Sequence, residues 1–506
     1  MNDQIPKHLS RSKFQFGSTD PFFPGITLGV PNLHGTTKDF QHFLFKYLAM
    51  DNSIEQFVII QKFLNSGHDK WENFFVLCLS SAAIHELRHF HEFYGSPFGA
   101  KILSNLITNT LSLPILMQVL LTEDTIALPI SAWARLPVEL HTLYQANTKS
   151  GKLSRRPPNP AAIAATGAEC LINQILLLYQ PSKSSSLWEL STRHLLEESA
   201  LSVQNMLIGV IFGEKMLESF VNMVRLYDEE KDYDRLTSIW KLVGENAVVS
   251  ATVRNAILFF ALCGQWWDQT PTSYTNPADR LLGVSIIANR DRRNPSVVDI
   301  LSFLDDCSEE MKVPTLTESL RQSMIWFENF VARAKVSVSK AWAHLSLKQS
   351  RERLTKCLDE LTASHKYMAS LILENPLSFF DPAQYLERIH DWLAAPRWYR
   401  SDTYFFSPSN PALNLHKTFG EGDWFVPGFV TVEGDDNLYA PFLLSKFPTT
   451  GTNILSPDSA YQFGIDNYLG NVCWTSGGFS DLLDAKMALI FLKSFFPDKE
   501  FIFLRP

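Results

Sequence analysis

Apolar positions recur with helical spacing along most of this chain. "TTKDFQHFLFKYLAM" (36–50) and "SIEQFVIIQKFLN" (53–65) set Phe, Leu, Ile and Val three or four residues apart, which predicts two helices parted by the polar "DNS". A longer helix is expected over 71–94, where Asp69 and Glu72 have the spacing of a capping box at the start and Gly95 with Pro97 make the stop. Its stretch "FFVLCLSSAAI" (74–84) is apolar or small on every side, the mark of a buried helix. The prolines of the basic loop "KSGKLSRRPPNPA" (149–161) cannot continue a helix. Another helix is expected over 187–212, with Ser186 and Glu189 as its capping box and Gly213 as its end.

Helical spacing continues through "LTSIWKLVGENAVVSATVRNAILFFALC" (236–263), "TLTESLRQSMIWFENFVARAK" (315–335) and "SLKQSRERLTKCLDELTASHKYMASLIL" (346–373). From about residue 400 the pattern changes to alternating aromatics, Asp, Asn, Gly and Pro, as in "GDWFVPGFVTVEGDDNLYAPFLL" (422–444), which predicts short strands and turns. One more helix, "SDLLDAKMALIFLKSFF" (480–496), and a terminal strand, "FIFLRP" (501–506), follow. The reading is a mainly α protein divided into an irregular arm (1–35), a helical core (36–228), a second helical region (229–398) and a small α/β C-terminal region (399–506).

Composition narrows the function. With 506 residues, 45% of them hydrophobic, the chain can bury a large core. A formal net charge of −8 lacks the basic excess that phosphate backbones or anionic membranes select, so neither nucleic acid nor membrane is an expected partner. The N-terminus "MNDQIPKHLSRSKF" has neither the apolar centre of a secretory signal nor the pattern of an arginine-rich presequence, which places the protein in the cytoplasm. Two apolar stretches, 256–264 and 102–121, read as core helices, the first too short to span a bilayer and the second interrupted by polar residues. Six scattered cysteines without a CxxC pair fit buried, reduced thiols.

The chemistry lies at the end of the long helix, in "AAIHELRHFHEFYGSP" (82–97). His85, Glu86 and His89 make H-E-x-x-H. An α-helix turns about 100° per residue, so histidines four apart leave one face and can share a metal ion. Glu86 beside them has the place of the residue that takes a proton from the attacking water in a zinc hydrolase. His91, two positions past His89 and roughly 200° around the helix, cannot join them. Glu92, one turn from His89, can either accept from a ligand imidazole or pair with Arg88.

Catalytic zinc usually takes three protein ligands, so a third donor is needed. On the helix expected over 187–212, Leu187, Leu190, His194, Glu197, Leu201, Ile208 and Phe212 fall along one stripe, which sets Glu197 as a carboxylate within an apolar face. Ala200, one turn on, permits close approach of another helix, and His194 is placed to donate to a substrate oxygen or to Glu197. Glu198 is the next candidate, with Glu139, His141 and Glu169 behind it. A phosphate loop is rejected at 146–154, where Ala146 and Leu153 replace required residues, and no G-x-S-x-G nucleophile elbow occurs.

His85, Glu86 and His89, with Glu197 in an E-x-x-A setting on a later helix, resemble the zincin metallopeptidases and, among them, the gluzincin branch. The resemblance implies Zn2+ held by His85, His89 and Glu197 in a multi-helical zincin-like core, with Glu86 as general base and acid in hydrolysis of a protein or peptide substrate. The metzincin pattern is absent, since Glu92 and Gly95 stand where it requires Gly and a third His. Two departures mark the chain: Glu197 comes 108 positions after His89, and no strand edge for substrate pairing is evident before residue 71. A site set behind many helices implies narrow access or control by a regulatory protein partner. Two rival readings use the same residues, an interaction scaffold with a structural H-E-x-x-H and a metal-dependent hydrolase of a small molecule.

Overall fold

The computed structural model describes residues 17–19, 26–29, 37–49, 53–68, 70–105, 107–108, 123–128, 133, 136–149, 151, 153, 178, 190–227, 236–244, 249–267, 274–341, 348–393, 397–400, 405–407, 423–431, 439–445, 453–455 and 498–504. Helix dominates these residues, as the apolar spacing predicts. The expected pair at the start is α1 (Lys38–Ala49) and α2 (Ser53–Leu64). Phe40, Phe43 and Tyr47 form the buried stripe of α1, and Phe63 of α2 closes on it with ring centroids 4.8 Å from Phe43.

The axis of the molecule is α3 (Lys70–Gly95), in which only Lys70, Asn73 and Ser80 fall short of full burial. It runs on through a bend at Ser96 into a further helical segment at 97–105. A Cβ at Gly95 would meet Ile372 Cδ1 at 2.6 Å, so a larger residue there would oblige that side chain to shift. Asp69, one half of the expected capping box, lies outside the described residues.

After α4 (Val138–Ala146) comes α5 (Thr192–Phe212), which begins later than expected: Ser191 precedes its first turn, and Gly213 with φ 87° ends it. Ser186 and Glu189 lie outside the described residues. The face of α5 differs from the expected stripe as well. Leu195, Leu196, Ser199, Ala200, Val203, Gln204 and Ile208 are buried, whereas Glu197 and Leu201 sit at the margin. Small and hydrogen-bonding residues occupy that face because the side of α3 they meet is itself polar. By length and composition α5 could also cross a membrane; here it packs on α3 and on α6 (Glu214–Tyr227).

The middle of the chain supplies α7 (Thr237–Gly244), α8 (Ala251–Ala261), buried at every position but Ala251 and Arg254, α9 (Pro277–Arg290) and α10 (Ile300–Met311). Two long helices, α11 (Leu316–Ala341) and α12 (Lys348–Glu374), pair through stripes of period three and four: Leu320, Ser323, Phe327, Val331, Ala334 and Val338 face Leu358, Leu361, His365, Met368 and Ile372. The short α13 (Pro376–Phe380) and α14 (Pro382–Glu387) then turn the chain back beneath α5 and α8.

Strands tie the chain's ends to this body. β1 (Gly17–Thr19) and β2 (Ile26–Gly29) lie within the arm read as irregular. They join β4 (Arg397–Arg400), β5 (Phe405–Ser407) and β8 (Asn453–Leu455) in one sheet of order β1-β2-β4-β5-β8, in which β2 and β4 run parallel. β3 (Thr125–Leu128) pairs in parallel with the expected terminal strand β9 (Glu500–Phe503), and β6 (Asp423–Thr431) pairs with β7 (Tyr439–Ser445) in the stretch where alternation predicted strands. The helix expected over 480–496 lies outside the described residues.

Candidate metal centre

α3 and α5 pack where the second half of the first meets the first half of the second. From α3, His85 and His89 project four residues apart; from α5, Glu197 reaches between them. His85 Nε2 stands 3.2 Å from Glu197 Oε2, His89 Nε2 is 3.2 Å from His85 Nε2, and His89 Nε2 is 3.9 Å from Glu197 Oε2. Donors held at ~2.0–2.1 Å in a tetrahedral shell are about 3.3 Å apart, so the three atoms fit one ion with little adjustment. Among the described residues this group could hold a metal ion. Two imidazoles and a carboxylate form a donor set suited to zinc and to several other divalent cations.

The electrostatics agree with a cluster that draws in positive charge. Burial alone would keep the His89 ring neutral; Glu92, whose Oε2 is 3.9 Å from Nδ1, with the charges of Glu197 and Glu86, outweighs burial and lifts His89 to about 9. Burial likewise would raise the Glu197 carboxyl. The hydrogen bond from His85 and the charges of His89, His85 and Arg193 outweigh it and hold the carboxyl well below the usual carboxylate range. Arg193 Nε lies 3.7 Å from Glu197 Oε1, the oxygen opposite the one that faces the histidines. A divalent ion at the point these groups face would answer the same negative charge.

Behind the donors lie residues that the apolar pattern did not disclose. His85 Nδ1 meets Gln204 Oε1 at 3.0 Å, and Gln204 Nε2 donates to Ser81 Oγ at 2.8 Å. Arg88 donates through Nε to Glu92 Oε1 at 3.0 Å and through Nη1 to the Phe379 carbonyl at 2.7 Å, while the Ser199 hydroxyl also donates to Glu92 Oε1. Of the two readings offered for Glu92, the pair with Arg88 is present, in the interior and not on a helix surface, while its second oxygen stands 3.9 Å from His89 Nδ1 without a hydrogen bond. The available signals were Gln204, seven positions after Glu197 on one face of α5, and Ser81, four before His85 on α3.

The remaining candidates have separate positions. Glu86 is buried beside His85, and its charge is felt at His89. His194 accepts the Ser191 N–H at Nδ1, 3.0 Å away, so this ring helps to cap α5. Glu198 turns from the group to Arg254, 2.7 Å distant. Glu139 is exposed on α4, His141 is buried on the same helix, and Glu169 lies outside the described residues. His91 points to the far side of α3, as its angle required: Nδ1 is 2.6 Å from Tyr385 OH and Nε2 2.6 Å from the Leu393 carbonyl. Comparison with protein-family models, curated proteins and solved structures finds no match for this chain.

Proposed function

We propose that this protein is a zinc-dependent, gluzincin-like metallopeptidase that hydrolyses a peptide bond in a protein or peptide substrate, with His85, His89 and Glu197 as zinc ligands. The observation that carries the proposal is the convergence of their three donor atoms at 3.2, 3.2 and 3.9 Å, beside the buried carboxylate of Glu86. Zinc, when bound, acidifies a coordinated water and polarises the scissile carbonyl. Glu86 is assigned the proton: it accepts one from the attacking water and passes it to the leaving amine. His194, with Nδ1 engaged at the helix cap, is assigned a donor role through Nε2 to a substrate oxygen.

Both histidine side chains are 9% exposed and Glu197 18%, which supports narrow access and favours an extended peptide segment over a folded surface. Control of that access by a protein partner belongs to the same proposal, as does a cytoplasmic setting, which suits the free thiols of Cys78, Cys263 and Cys307.

Elemental analysis of purified protein tests the reading. About one zinc per chain is expected in the wild type, with clear loss in Glu197→Ala. Absence of zinc from both proteins would return "HELRHFHE" to a helix end and favour the interaction scaffold.

A further inference from the structure

Histidine binds a metal through one ring nitrogen only when that nitrogen carries a lone pair, and in a neutral ring this requires the proton to sit on the other. At His85 the nitrogen aimed at Glu197 and His89 is Nε2, so the proton belongs on Nδ1. What faces Nδ1 is a side-chain amide, which can present either an acceptor or a donor. The Gln204 oxygen makes Nδ1 a donor, so an ion need displace only the hydrogen that Nε2 lends to Glu197 in its absence, whereas the NH2 group would force Nδ1 to accept and leave the ring's only hydrogen on Nε2, against the ion.

Ser81 decides between the two. Its hydroxyl hydrogen is committed to the Leu77 carbonyl at 2.6 Å, one turn earlier on α3, so its oxygen offers the amide lone pairs alone. Only the NH2 end of Gln204 matches, at 2.8 Å, and this turns Oε1 to His85 at 3.0 Å. Three directed bonds thus run from a helix carbonyl to the imidazole. Ser81 is fully buried and Gln204 nearly so, which keeps water from replacing either.

We propose that Gln204, oriented by Ser81, is a positioning residue that fixes His85 as the Nδ1–H form and thereby presents Nε2 to the metal. The inference rests on the metal-site reading above and adds the residues that make one of its ligands competent. It also distinguishes the two histidines, since His85 Nδ1 bonds to a neutral amide whereas His89 Nδ1 lies 3.9 Å from the Glu92 carboxylate without a hydrogen bond.

Zinc affinity of the full-length chain, measured by competition with a chromophoric chelator, tests it, with thermal unfolding recorded on the same samples. Gln204→Leu removes the acceptor at similar volume and is expected to bind zinc about 10- to 100-fold more weakly. Gln204→Glu can only accept from Nδ1 and is expected to restore affinity to near the wild-type value. Ser81→Ala, which frees the amide to turn, is expected to fall between them. Equal affinity of wild type and Gln204→Leu, or a loss in Gln204→Glu as large as in Gln204→Leu, would overturn the inference while the metal site stands. A wild type that binds no zinc would overturn both readings at once. Should Gln204→Leu fail to fold, Ser81→Ala decides alone, and wild-type affinity in that variant overturns the proposal.

Discussion

Two turns of α3 carry polar side chains in two opposite directions, and the two sides are built differently. On the front, His85 Nδ1 bonds to Gln204, His89 Nδ1 faces Glu92 Oε2 at 3.9 Å without a hydrogen bond, and their other nitrogens converge on Glu197. On the back, His91 has both nitrogens taken by fixed groups, the Tyr385 hydroxyl and the Leu393 carbonyl, and burial leads the causes that push its ring down to about 3. Arg88 joins the back, stacked 3.8 Å over the Phe379 ring. Burial therefore does not separate a ligand histidine from a structural one. The distinction is whether the second nitrogen ends on a protein partner or on a point that several donors share.

That comparison can be broken first on the front. Glu86→Gln removes the assigned proton carrier and leaves the donor atoms untouched. The expected result is a fall in kcat of about 10²–10⁴-fold with zinc content unchanged. If activity on peptides survives the substitution at the wild-type rate, Glu86 is not the base, and the front is a metal site without the proposed chemistry.

The back is expected to yield stability instead of activity. Arg88→Met removes the cation that pairs with Glu92 and holds the Phe379 carbonyl, and it leaves a carboxylate buried with the Ser199 hydroxyl as its hydrogen-bond partner and the His89 ring 3.9 Å away. Breaking a buried pair on one side costs about 3–5 kcal/mol, which urea unfolding would read as a shifted midpoint. A shift worth less than about 1 kcal/mol would mean that the back is as pliant as a surface pair.

Much of this arrangement was legible in the sequence, for reasons that also explain the remainder. α3 was readable because an apolar helix with no polar face has nowhere to lie except inside, and H-E-x-x-H because four-residue spacing is a geometric fact of a helix. Glu197 was found on a misplaced stripe. Counting apolar residues set the buried face of α5 on Leu190, Glu197 and Leu201, whereas the contact with α3 is made by Ser199, Ala200 and Gln204. A buried polar face pairs with another buried polar face, and hydrophobic periodicity has no signal for that. The bonds of Arg88 to Phe379 and of His91 to Leu393 bridge about three hundred positions and become visible only when α13 and the segment after α14 have folded back to reach α3. The strands β1 and β2 escaped for a related reason, since three- and four-residue strands are defined by partners far along the chain.

A third structural ring extends the comparison to pH. His365 lies in the seam between α11 and α12, bonded to Ser323 Oγ at 3.0 Å and to the Tyr94 carbonyl at 2.8 Å, and burial lowers it from 6.5 to about 4. Above pH 6.5 the folded and unfolded chains both hold this ring neutral, and its contribution is complete. Below that value the unfolded chain takes up a proton that the folded chain refuses, so stability falls until the pH reaches about 4. The loss amounts to about 3 kcal/mol for this one ring. Urea midpoints measured across the interval should decline in the wild type and decline less steeply in His365→Gln. Parallel slopes would show that His365 does not carry the acid sensitivity.

The smallest effect gives the sharpest test of the front. Glu197 and Glu198 are adjacent, and sequence spacing left either one open as the third donor. In the folded chain they diverge by one step around α5: Glu197 Oε2 faces the two histidines, and Glu198 Oε1 pairs with Arg254, whose side chain is 31% exposed. A partly solvated pair of this kind contributes about 1 kcal/mol or less, so Glu198→Ala should unfold at nearly the wild-type urea concentration. It should also retain the full zinc content of the wild type, where Glu197→Ala loses it. Loss of zinc in Glu198→Ala with Glu197→Ala unaffected would exchange the two carboxylates. It would also require α5 to rotate by about 100° on binding the ion, a movement its packing through Ala200 and Val203 opposes.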